Sequence, residues 1–64
     1  MTHEADTLKA ARRMILRYGD LAPQEVDLRI DELRDRGEAD AISKWVEIRK
    51  AVRALLVKSS RSLN

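Results

Sequence analysis

The stretch that decides the fold is ADAISKWVEIRKAVRALLVK, residues 39–58. Within it Ala41, Trp45, Ile48, Val52 and Leu55 recur at spacings of 4, 3, 4 and 3, the seam of a helix that packs lengthwise against others. Ile42 and Leu56 widen this seam on one side and Ala51 on the other. At ~100° per residue these positions cover about half the circumference, well beyond the stripe of an ordinary surface helix. An arc of that width requires more than one neighbour.

Working outward toward the N-terminus, Gly37 is placed to end a preceding helix over about 21–36, because only Gly takes the left-handed C′ conformation without steric cost. Its buried stripe should be Ala22, Val26, Ile30 and Leu33. Glu25 with Arg29 and Glu32 with Arg36 are acid-before-base pairs at i,i+4, worth ~0.2–0.5 kcal/mol each. Gly19 should stop a first helix over about 5–18, with Leu8, Ala11, Ile15 and Tyr18 on one face. Asp20 is then available to cap the second helix, with Pro23 tolerated in its first turn; the alternative places the cap at Ala22 and Pro23 at the first helical position. No alternating strand pattern occurs. The expected fold is all-α, with three helices (about 5–18, 21–36 and 39–58) joined by short Gly-containing turns, a single helical domain over 1–58 and a flexible polar tail over 59–64.

The third helix should be the longest, roughly 27 Å against roughly 21–24 Å for its partners. Val52 to Val57 would then overhang the hairpin and carry Leu55 and Leu56 into water, where a second copy can cover them. A chain of 64 residues without Cys has neither disulfide nor thiolate metal site to staple it. Domains of this size bury only about 60% of the surface their unfolded chains expose and gain stability by associating. A homodimer is the expected state, with Trp45, Ile48, Val52, Leu55 and Leu56 as the core and self-association residues and Trp45 as the most consequential of them.

The chain is 44% hydrophobic and 38% charged, with a net charge of +2. The average conceals net +2 over residues 1–19, −5 over 20–40 and +5 over 41–64. An acidic middle between basic ends suits pairing within or between copies better than it suits the unbroken basic stripe of a nucleic-acid binder. Two ridges stand out: Lys9, Arg13 and Arg17 on the first helix, and Asp27, Asp31 and Asp35 on the second, all at i,i+4 spacing. Each is mildly unfavourable alone, and both should point away from the core, so they do not easily meet inside one hairpin. They could meet between molecules, although plain solvated faces are the commoner explanation. Several aliphatics lie off the buried stripes: Leu16, Leu28, Val46 and Val57. Isolated exposed aliphatics are ordinary; read otherwise, Leu28, Val46 and Val57 form a candidate surface for a further, unidentified protein partner.

Chemistry is not legible. His3 is the only histidine, Ser43 has no base beside it, and the three aspartates on one straight helix cannot wrap a metal ion. No phosphate-binding loop occurs, so neither catalysis nor a cofactor is expected. No apolar run approaches a membrane span or a signal peptide, which suggests a soluble, cytoplasmic protein. The rival reading is weak, salt-sensitive nucleic-acid binding, with the second and third helices as a helix-turn-helix and Arg49, Lys50, Arg53, Lys58 and Arg61 on the phosphate backbone. Glu38 and Asp40 at the start of the third helix oppose it, because they would repel phosphate.

The pattern Met14-Ile15, Tyr18-Gly19, Ala22, Val26, Arg29, Leu33, Gly37-Glu38, Trp45, Ile48, Ala51 and Leu55 resembles a group of small, uncharacterised bacterial all-helical proteins classed as a domain of unknown function. Gly37-Glu38 departs from the Gly-Asp more usual in that group. The resemblance implies a helical fold with a Trp-centred core, and it brings no catalytic or cofactor residues.

Overall fold

A computed structural model describes the backbone of residues 3–62 and the side chains of residues 5–58. The fold is all-α: α1 (His3–Tyr18), a 3-10 turn (Gly19–Leu21), α2 (Ala22–Arg36) and α3 (Ala39–Ser62). No non-helical residue separates α1 from α2, so the described residues form two unbroken helical runs, 3–36 and 39–62, in three pieces, joined at Gly37 and Glu38.

The two corners are built differently. At the first, Gly19 takes φ +59° and starts the 3-10 turn. The N–H of Ala22 donates to the Gly19 carbonyl, and α2 begins behind Leu21 with no side-chain cap. The cap expected from Asp20, or alternatively at Ala22, is therefore not used; backbone bonds of the 3-10 type serve this helix end instead. At the second corner Gly37 has φ +70°, its N–H donates to the Arg34 carbonyl at 3.0 Å, and the Glu38 N–H donates to the Leu33 carbonyl at 3.1 Å. This pair of bonds is a Schellman closure, which satisfies carbonyls that the end of α2 would otherwise leave unpaired. The Ile42 N–H then donates to the Glu38 carbonyl at 3.0 Å, so α3 starts at once.

At its other end α3 runs to Ser62, past the expected stop at Lys58, because no Gly or Pro follows to break it. Its 24 residues exceed the 16 of α1 and the 15 of α2. Side chains of the expected tail, 59–64, lie outside the described residues.

α3 packs against both other helices, whereas α1 and α2 touch each other little. The molecule is flat, 42 × 28 × 15 Å. Its core joins Ala11 from α1, Ala22, Val26 and Ile30 from α2, and Ile48 and Val52 from α3. The α2 stripe is buried at every position, Leu33 included.

Two expected core positions are corrected. Leu8 is 42% exposed, because the inward face of α1 is turned toward Ala10 and Met14, which pack against the core. Trp45 packs against the core but is only half-buried. The space shared by all three helices is filled by alanine, valine and isoleucine, and the indole lies at its edge with the Arg29 guanidinium 5.8 Å from a ring centroid.

Candidate interaction surfaces

On α3 the apolar arc is covered unevenly. Ile48 and Val52 are buried, while Ile42, Trp45, Ala51, Leu55 and Leu56 are half-buried. Of the candidate partner residues, Leu28 and Val57 are exposed at 57% and 59%. Val46 is not: it packs, half-buried, against the core, so the surface expected from Leu28, Val46 and Val57 loses its middle member. Leu28 and Val57 also belong to different helices. Leu21, which carries no periodic signal because it lies in the 3-10 turn, is exposed as well. Leu16 is 89% exposed, the highest value among the large exposed aliphatics described.

Electrostatic contacts redistribute the charges read from the sequence. The Arg49 guanidinium donates from Nη1 to Asp27 Oδ1 at 3.0 Å, and both side chains are partly covered. Asp27 thereby leaves the acidic ridge and links α2 to α3, contrary to the expectation that the whole ridge points away from the core. Lys50 Nζ donates to Glu47 Oε2 at 3.2 Å along α3. Arg49 and Lys50 are thus engaged within the chain, while Arg53 and Lys58 are exposed and the Arg61 side chain lies outside the described residues. The remaining ion pairs among the described residues are Arg29–Glu32 at 3.9 Å, Arg34–Asp31 at 3.8 Å and Arg36–Glu38 at 4.0 Å. Glu25 and Glu32 therefore do not take the i,i+4 partners their spacing predicts. All three pairs are well exposed and contribute little to stability.

Asp6, Thr7, Ser43, Lys44 and Glu47 line an open groove between the N-terminal parts of α1 and α3. A second depression follows the turn from Gly37 to Ala41. Among the described residues no group of His, Cys or carboxylates is arranged to hold a metal ion, and no helix is long and apolar enough to cross a membrane. No buried side-chain nitrogen or oxygen among them lacks a hydrogen-bond partner. Comparison of the chain with family models, with curated proteins and with solved structures finds no match.

Proposed function

We propose that the protein is a small assembly module that acts by binding and associates with itself through the apolar arc of α3. The observation that carries this reading is the partial coverage of that arc: Trp45, Leu55 and Leu56 remain half-buried beside the buried Ile48 and Val52. A second copy laid along α3 would complete the burial. Each additional 100 Å² of apolar surface removed from water contributes roughly 2–3 kcal/mol before association costs. α3 is longer than either partner by roughly 12 Å at 1.5 Å per residue, yet the overhang expected over Val52 to Val57 does not form. Val52 is buried and Leu55 and Leu56 pack half-buried against the core, so a second copy would add to their cover rather than supply all of it. Activity by contact rather than catalysis accords with the absence of a legible catalytic constellation in the sequence.

Trp45 is the only tryptophan, so its emission reports on this surface directly. The test is light scattering over a range of concentrations, at low and high salt, with Trp45 emission recorded on the same samples. The expected result at high salt is a mass that doubles with concentration, with emission moving to shorter wavelength in step, and at low salt a mass at least as large. A monomer of unchanging emission at every concentration overturns the reading.

Nucleic-acid binding is the weaker reading, since Asp27 and Glu47 engage Arg49 and Lys50. Duplex DNA titrated at low salt tests it: binding that falls steeply with added salt supports it, and none at low salt removes it.

A further inference from the structure

The outer faces of α1 and α2 carry one pattern in opposite charge. On α1, Leu16 stands 89% exposed and is preceded by Arg13, Arg12 and Lys9, at i−3, i−4 and i−7; all three cations are exposed. On α2, Leu28 stands 57% exposed and is followed by Asp31, Glu32 and Asp35, at i+3, i+4 and i+7; all three acids are exposed. Each set lies within about 100° of its helix, on the side away from the buried stripe. Reversing the chain direction of one set superimposes it on the other. With two helices laid antiparallel and Leu16 opposite Leu28, Arg13 comes beside Glu32, Arg12 beside Asp31, and Lys9 opposite Asp35.

We propose that the α1 strip of one copy docks antiparallel on the α2 strip of a second copy, leucine on leucine, with three acid–base pairs around the contact. This surface is distinct from the α3 arc and does not depend on it. The two strips cannot meet within one chain, because both face away from the α3 they share. The occupant is a second copy because its charges complement the strip position by position. Arg29 and Arg34, the present partners of Glu32 and Asp31, sit at 3.9 and 3.8 Å in exposed pairs that are easily exchanged. The contact is heterologous: after one contact the first copy still has its α2 strip free and the second its α1 strip, so association continues into open chains or a ring.

Charge reversal tests it. One variant carries Lys9→Glu, Arg12→Glu and Arg13→Glu, which makes both strips acidic; the other carries Asp31→Lys, Glu32→Lys and Asp35→Lys, which makes both basic. Circular dichroism establishes that each variant keeps its helix content, and the single variant Leu16→Ser, which leaves charge untouched, provides a second route should a triple variant not fold. At low salt the parent is expected to grow in mass with concentration beyond a dimer. Each reversed variant alone should associate at least about tenfold more weakly, since like charges then face each other. An equimolar mixture of the two should recover association, and ~1 M salt, which shortens screening to about 3 Å, should abolish it. Leu16→Ser should weaken the parent's growth at both ends of the concentration range. The proposal is overturned if the mixture shows no more association than its separate components, or if parent and variants grow alike. A dimer that survives high salt and is indifferent to the reversals belongs to the α3 arc; its presence or absence leaves the mixing result intact, so the two surfaces fail separately.

Discussion

α2 and α3 are both amphipathic, but they reach different ends. The stripe of α2 is four residues wide in sequence pattern, Ala22, Val26, Ile30 and Leu33, and every one of them is buried. The arc of α3 is twice as broad, and among its described residues burial is complete only at Ile48 and Val52, which belong to the core shared with α1 and α2. A narrow stripe faces a single shared core and is covered along its whole length. A broad arc requires neighbours on both sides, and α1 and α2 leave Ile42, Trp45, Ala51, Leu55 and Leu56 packed against the core but half-buried. α2 is also closed at its end by the Gly37 turn, whereas α3 continues to Ser62 with nothing to stop it.

The largest test of this contrast is cavity creation at the centre of each helix. Ile30→Ala and Ile48→Ala should each cost ~2–5 kcal/mol, comparable with the whole stability of a domain this small. Urea unfolding followed by circular dichroism measures both, and near-equal losses are expected because both side chains are 2% exposed in one shared core. A harmless Ile48→Ala beside a damaging Ile30→Ala would separate α3 from that core.

Trp45→Ala sharpens the comparison at the edge of the arc. Full burial of a tryptophan would put the loss at ~3–5 kcal/mol, and half-burial should bring it to about half of that in the monomer. A second copy seated on α3 would raise the loss with protein concentration, which thermal melts across a dilution series would register.

Smaller effects test what frames the two helices. Gly37→Ala should destabilise by about 1 kcal/mol, because no atom lies within 4 Å of the new Cβ and only the φ of +70° is strained. Gly37→Asn should recover part of the loss, since Asn tolerates the left-handed region. Smallest of all, a double-mutant cycle of Asp27→Asn with Arg49→Met should give a coupling below ~1 kcal/mol that shrinks with salt, as expected for a partly exposed ion pair. A coupling that is insensitive to salt would mean the pair is far better sheltered than its geometry indicates.

Legibility followed the same divide. The buried positions of α2 can be read from spacing alone because they form one narrow stripe that faces one way, into the shared core. Spacing puts Leu8 on the inner face of α1 but does not show the rotation of that face toward Ala10 and Met14. Spacing places Val46 on the outside, yet it packs half-buried against the core, since the arc is wider than its periodicity indicates. Asp27 was grouped with Asp31 and Asp35 by i,i+4 spacing, yet it sits at the flank of α2 where Arg49 reaches it. Nothing within either helix announces that pair. Leu16 and Leu28 were visible as apolar residues off the stripe; their exposure, and thus the matched strips around them, needed the packed structure.

By itself the sequence determined the helical class, the α2 stripe and the positions where Gly19 and Gly37 turn the chain. Those depend on interactions within a few residues: backbone sterics, the helical repeat and the lack of a Cβ. Only the tertiary structure decided how far the α3 arc is covered, why Trp45 stays at the edge, and which charges are engaged. Coverage and ion pairing depend on the distance and rotation between helices, quantities that no single helix encodes.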